Sequence, residues 1–136
     1  MILERVGFIF LLDLNGFKRV NDNLGHEAGD QLLKQVAIRF SRVLPNNTLL
    51  ARLGGDEFGV IAPASQAEAT ELALALRATL SYPLSLANSS QKIDVSLGYA
   101  PITPNQNVAQ LLHQADLAMY EAKRSGQGTL MWLGLT

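Results

Sequence analysis

The sequence predicts an α+β domain in which a central, mostly antiparallel sheet of five strands carries helices packed on it. Three observations support this. Leu49, Leu50 and Leu53 run up to Gly54-Gly55, and Phe58, Val60 and Ile61 run away from it. Two apolar runs joined through paired glycines read as a β-hairpin, which forces antiparallel pairing. Phe8-Ile9-Phe10-Leu11-Leu12 is a continuous apolar run, the pattern of a central strand covered on both faces. Segments with apolar residues at 3.6-residue spacing alternate with these strands, giving the order β-α-α-β-β-α-β-α-β.

Along the chain, the first strand exits at Asp13, and Asn15 to Asp22 form a turn and a short helix that Gly25 ends. Residues 27–44 form a longer helix, with Leu32, Leu33, Val36, Ala37, Phe40, Val43 and Leu44 on its buried face, stopped by Pro45 and Asn46-Asn47. The hairpin follows at 49–53 and 57–62. Ser65-Gln66-Ala67-Glu68 is a capping box. It opens a helix that buries Ala69, Leu72, Ala73, Leu76 and Leu80 and ends at Pro83. Ile93, Val95, Leu97 and Tyr99 alternate with small or polar residues, as in a half-buried strand. Asn107 caps the last helix, whose apolar face is Val108, Leu111, Leu112, Ala115, Met119 and Ala122. Gly126 stops it, and 129–133 is a final short strand.

Length and composition narrow the function classes. With 136 residues, 48% of them hydrophobic and 17% charged, the chain suits one globular domain with one core. A formal net charge of −1 gives no global basic footprint for nucleic acid or an anionic membrane. There is no cysteine, which excludes disulfides, Cys-ligated zinc and thiol nucleophiles, and is compatible with a reducing cytoplasm. The apolar start, Val6 to Leu12, runs into Asp13 without a cleavage site and is too short to span a bilayer.

The chemistry gathers at carboxylates. Asp13 leaves a central strand and Asp56 sits at a hairpin tip, so neighbouring strands would bring the two acids together. Paired acids near a glycine turn suit a Mg²⁺–phosphate site, since Mg²⁺ takes hard oxygen ligands from one or two carboxylates plus substrate phosphates. Glu57 follows Asp56, and strand alternation would point it to the other face. Asn21 and Asp30 could flank a base pocket: a carboxylate accepts from guanine N1–H and its 2-amino group together, a pair adenine lacks. Lys18 and Lys123 are candidate phosphate contacts. Plainer roles remain open: surface acids for Asp13 and Asp56, helix-dipole partners for Asp30 and Lys123. His26 and His113 have no ligand-like spacing.

These residues fall into blocks that resemble a known family. Leu12-Asp13-Leu14-Asn15-Gly16-Phe17-Lys18-Arg19-Val20-Asn21-Asp22, with Gly25-His26 and Gly29-Asp30, looks like the front signature of the bacterial GGDEF domain. Arg52 to Phe58 carries its name-giving motif. Ser96-Leu97-Gly98 and Ala115 to Lys123 resemble its two later blocks. Four blocks in order, spanning nearly the whole chain, make the resemblance specific. It implies the palm-like α+β fold of nucleotide cyclases and a diguanylate cyclase, which condenses two GTP into cyclic di-GMP. It also implies Mg²⁺ or Mn²⁺ on Asp13, Asp56 and the Leu14 carbonyl, with Glu57 beside them as a further catalytic acid. Phe17, Asn21 and Asp30 would read guanine, Gly54 and Gly55 would pass the phosphates, and Lys18 and Lys123 would hold the triphosphate. One GTP per chain implies a homodimer, at least transiently.

There are departures from the family pattern. Asn15 stands where the family commonly has Asp, Gln127 where a phosphate-contacting Arg is usual, and Gly128 where Asn is common. The family's product-inhibition site uses an Arg-x-x-Asp motif separated by five residues from the first motif glycine, and here those positions are Pro45-Asn46-Asn47-Thr48. The family's opening helix is missing, so residues 1–136 are expected to be a single GGDEF domain from a longer protein, with sensor or effector domains attached. The expected setting is the cytoplasm, or the cytoplasmic part of a membrane-anchored protein, with no direct contact to membrane or nucleic acid. The alternative function is a degenerate module that binds GTP or a protein partner and regulates an attached domain without catalysis.

Overall fold

A computed structural model describes residues 7–133, so Val6 at the head of the apolar run lies outside the described residues. The chain runs β1 (Gly7–Asn15), α1 (Phe17–Leu24), α2 (His26–Val43), β2 (Leu49–Gly54), β3 (Glu57–Pro63), α3 (Gln66–Ala78), β4 (Leu84–Leu86), β5 (Ser89–Gln91), β6 (Asp94–Ile102), α4 (Val108–Ser125) and β7 (Thr129–Met131). The five-stranded sheet has the order β2-β3-β1-β6-β7, with β1 at its centre. All its pairings are antiparallel except β6 with β7.

Strand alternation divides the core between the two faces of the sheet. Phe8, Phe10, Leu12 and Leu14 of β1 join Phe58, Val60, Val95 and Leu97 under α2 and α3, where Leu32, Val36, Phe40 and Leu76 are fully buried. The intervening residues Ile9 and Leu11 face the other way, onto Leu111, Ala115 and Met119 of α4. Asp13 and Asn15 continue that second row, so both lie on the α4 face of the sheet. Helix α4 comes so close to β6 that a Cβ on Gly98 would collide with the backbone of Ala115 and Met119.

Both capping boxes form: Ser65 with Glu68 at α3, and Asn107 with Gln110 at α4. Gly25 closes α1, and Gly126 ends α4 at φ 77°, a left-handed conformation that glycine adopts without a Cβ penalty.

The structure corrects the sequence reading in several places. β1 continues through Asp13 to Asn15, because β6 pairs with it along its whole length. Helix α3 ends at Ala78, not at Pro83: Leu80 and Ser81 donate to the Arg77 and Ala78 carbonyls in a tightening turn. Arg39 fastens that turn by donating to the carbonyls of Thr79, Tyr82 and Pro83. A second small hairpin, β4 with β5, was not anticipated. Val43 and Val108 stay exposed although they fall on the apolar stripes, because they occupy the helix ends, beyond the reach of the sheet. Among the described residues, no helix is long and apolar enough to cross a membrane.

Candidate active site

The site forms where β1 and the β2–β3 hairpin meet. Asp13 lies directly opposite Glu57 in the β1–β3 ladder. The Leu14 N–H donates to the Asp56 carbonyl at 3.0 Å, which fastens the hairpin tip to the end of β1. N–H and C=O of one strand residue point to the same side, so the Leu14 carbonyl also faces the hairpin tip. The turn itself is Gly55-Asp56, bracketed by the Gly54–Glu57 pair, rather than Gly54-Gly55. Gly54 at φ 147° and Gly55 at φ 51° supply backbone conformations that L residues rarely adopt. A Cβ on either would meet nothing within 4 Å, so the glycines serve the turn and leave its outer side open. Arg52 donates from Nε and Nη2 to the Gly55 carbonyl at 3.0 and 2.9 Å, bracing the turn from below.

This geometry changes the reading of the two motif acids. Asp56 is in the turn, not in a strand, so strand alternation does not separate it from Glu57. Both side chains feel Asp13. Burial, followed by the Asp13 carboxyl beside it, raises the Asp56 pKa above its ordinary value, while Lys123 pulls it back. Burial raises Glu57 as well, helped by the charges of Asp13, Asp116 and Asp56. Lys123, from the last turn of α4, donates to Asp13 Oδ2 at 3.0 Å. Asp13 and Asp56 thus form a close pair of hard oxygen donors, the donor set suited to Mg²⁺ or Mn²⁺. No cluster of three or more His, Cys, Asp or Glu side chains converges as a ready-made cage among the described residues.

Of the base-reading candidates, Asp30 lies beside Arg52. A groove of about 310 Å³ is lined by Asp30, Leu33, Lys34, Ala37, Arg52 and Phe58. Asp30 stands exposed on its rim. Asn21 does not line this groove, but its side chain rests against Gly29, so a side chain one residue ahead of Asp30 would displace it. Phe17 is half-buried and packs on the core. Lys18 is exposed and makes no hydrogen bond or ion pair among the described residues.

Sequence reasoning gave no role to three residues. Arg52 links the groove to the turn, and its position immediately ahead of the motif was the available signal. Asp116 adds charge beside Glu57 from α4. Ser96 accepts from Asn15 Nδ2 at 3.0 Å, leaving Asn15 Oδ1 buried without a partner.

Comparison with known proteins places the chain among known relatives. The family model for "Diguanylate cyclase, GGDEF domain" matches residues 4–129. Diguanylate cyclase TpbB of Pseudomonas aeruginosa is 41% identical over 130 residues, which cover 93% of this chain and 30% of the relative. Cyclic di-GMP phosphodiesterase NbdA of the same organism is 38% identical over 122 residues, 88% of this chain and 16% of the relative. The crystal structure of the TpbB GGDEF domain superposes with a TM-score of 0.89 at 36% identity, covering 97% of this chain and 84% of that one. The chain spans 15–30% of the length of such curated relatives. With the family model matching residues 4–129 and the fold superposing on a GGDEF domain, the chain belongs to the GGDEF domain family of diguanylate cyclases.

Proposed function

We propose that the chain is the GTP-condensing domain of a diguanylate cyclase, joining two GTP into cyclic di-GMP with release of two pyrophosphates. The observation that carries this is the Asp13–Asp56 pair, set by the β1–β3 register at an open glycine turn. Each 3′-oxygen forms a bond to the α-phosphorus of the other GTP, the α–β phosphoanhydride bond breaks, and the 3′-hydroxyl proton is lost. When bound, Mg²⁺ or Mn²⁺ supplies charge to the 3′-oxygen and the departing pyrophosphate. The protein's part is positioning and neutralising. Asp13, Asp56 and the Leu14 carbonyl would hold the ion, and Glu57 adds a further acid beside them. Asp30 and Asn21 orient guanine with Phe17 as a wall, Gly54 and Gly55 let the phosphates approach, and Lys18 and Lys123 bear on the triphosphate. One chain presents one such half-site, so turnover requires a homodimer, at least during the reaction. Relatives several times longer support attached sensor or effector domains.

Incubation with GTP and Mg²⁺, followed by mass spectrometry for cyclic di-GMP, tests the reading. Product is expected from the unmodified chain and is expected to vanish in Asp56→Ala, while the fold, altered only at a half-buried turn position, persists. Full activity in Asp56→Ala would refute it.

A second reading has its own support. Asn15 and Gln127 depart from the family pattern, and NbdA, named a phosphodiesterase, is 38% identical to the chain. A regulatory module that binds GTP without turning it over fits these facts. Saturable GTP binding with no product, at any protein concentration, would favour it.

A further inference from the structure

The acids of the site gather on one face of the sheet. Beyond their own burial, Asp56 is made harder to ionise by Asp13, and Glu57 by Asp13, Asp116 and Asp56. Among the described residues, the cation paired with this group is Lys123. Its position is unequal: the Asp13 side chain is 18% exposed and that of Lys123 is 53% exposed. The carboxylate is held by a central strand, while the ammonium arrives on a flexible four-carbon stem from the end of α4. A divalent cation on Asp13 and an ammonium on Asp13 Oδ2 would repel each other, so the two compete for the carboxylate.

The structure offers the ammonium another acceptor. A polar cavity of about 250 Å³ lies beside Lys123, at the end of β1, and is lined by Asn15, Ser96, Asp94, Arg77 and Gly128. Asn15 lies two residues beyond Asp13 on the same face of the strand, a step of roughly 7 Å. Its Nδ2 is held by Ser96, and its Oδ1 is buried with no hydrogen-bond partner. A buried acceptor without a donor carries a standing free-energy cost. Asp94 is committed to Arg77 at 3.0 Å, so Asn15 Oδ1 is the acceptor in this cavity that lacks a donor.

We propose that Lys123 is an exchangeable counter-ion. It holds Asp13 in the metal-free chain, and on arrival of a divalent cation it moves along β1 to Asn15 Oδ1. This rests on the metal-dependent reading of the Asp13–Asp56 pair. It adds that the resident cation competes with the metal before nucleotide binds, and that Asn15 receives it.

Mn²⁺ titration without nucleotide, followed by electron paramagnetic resonance, reads the competition directly. Lys123→Met keeps the stem and removes the charge. It is expected to bind Mn²⁺ about two- to fivefold more tightly than the unmodified chain, the range of a partly exposed ion pair. Equal or weaker binding overturns the proposal. Asn15→Leu is expected to weaken Mn²⁺ binding when Lys123 is present and to change nothing in the Lys123→Met background. Equal loss in both backgrounds overturns Asn15 as the receiving group. Asp56→Asn separates the two levels. If it binds Mn²⁺ as well as the unmodified chain, the metal is not at this pair and the underlying reading fails too. If it loses Mn²⁺ but Lys123→Met is indifferent, only the counter-ion proposal falls. Circular dichroism on each variant keeps a folding defect from passing as a metal effect.

Discussion

Asp56 sits in a position whose electrostatics oppose its own ionisation. Burial and the adjacent Asp13 carboxyl raise its pKa above the ordinary 3.8, so the folded chain holds that proton more tightly than the unfolded chain does. The resulting stability is fully present below the ordinary value and is lost as pH rises through the raised one. At pH 7, ionised Asp56 therefore works against the metal-free fold, and solvent keeps the effect small. Asp56→Asn is expected to raise the metal-free Tm at pH 7 by about 1–3 °C and to leave it unchanged at pH 3. Thermal melts at both pH values check the sign, and a lower Tm at pH 7 would contradict it. Asp30 answers to a different measurement. It stands on the rim of the groove beside Arg52 and Phe58, where a carboxylate would take both donors of guanine. Asp30→Ala is expected to weaken GTP binding by about 1.5–3 kcal/mol, the worth of a charged hydrogen bond, and to leave ATP binding unchanged. Calorimetry showing equal GTP and ATP affinity in the unmodified chain would remove the basis for guanine reading.

At the level of elements, α4 delivers Lys123 to β1, and its height above the sheet is set by a residue far from the chemistry. A Cβ on Gly98 would collide with the Ala115 carbonyl and the Met119 N–H, and backbone cannot step aside as a side chain tip can. Gly98→Ala is expected to cost about 2–4 kcal/mol through overpacking. It should also lift Lys123 from Asp13, which a chemical denaturation curve and a Mn²⁺ titration would register together. Elements with long apolar periodicity were legible in the sequence, and so were the Ser65 capping box, the Asn107 cap and the glycine stops; the Gln110 half of the second box was not. The β4–β5 hairpin was not. Its strands are three residues each, and its turn, Ala87-Asn88 at φ 49° and 62°, lacks the glycine that usually marks such a turn. Only the alternation of Leu84 and Leu86, both fully buried, hinted at it. The site was legible as separate acids whose meeting depended on strand adjacency. Which strands are neighbours, and that Asp56 lies in the turn rather than in β3, are set by tertiary pairing and have no local signal. Val43 and Val108 show the same limit in reverse, since periodicity reports a face and not whether anything covers it.

Across the whole molecule, β2 joins two places that behave differently. One end is the glycine turn with Asp56. The other is the loop 45–48, placed between α2 and β2. A six-residue strand separates them, roughly 20 Å of extended chain. A ligand on that loop would therefore reach the acid pair only through β2, not by contact. The loop is Pro45-Asn46-Asn47-Thr48 and carries no charge. Asn47 takes a left-handed φ of 63°, so its shape serves the turn out of α2. Cyclic di-GMP carries two phosphates, and high-affinity capture calls for arginine forks that pair phosphate oxygens bidentately. Asn and Thr offer neutral hydrogen bonds, roughly half as strong as charge-assisted ones. Arg42, in the last turn of α2, is the nearest cation in sequence, but its own fourth position is Pro45. The expected outcome is a chain that neither binds cyclic di-GMP at this loop nor slows as product accumulates. Titrating cyclic di-GMP while following heat and residual GTP turnover checks both. Saturable binding that is lost on mutating residues 45–48 would show an inhibitory site built without arginine, and β2 would then be the element that carries its signal to Asp56.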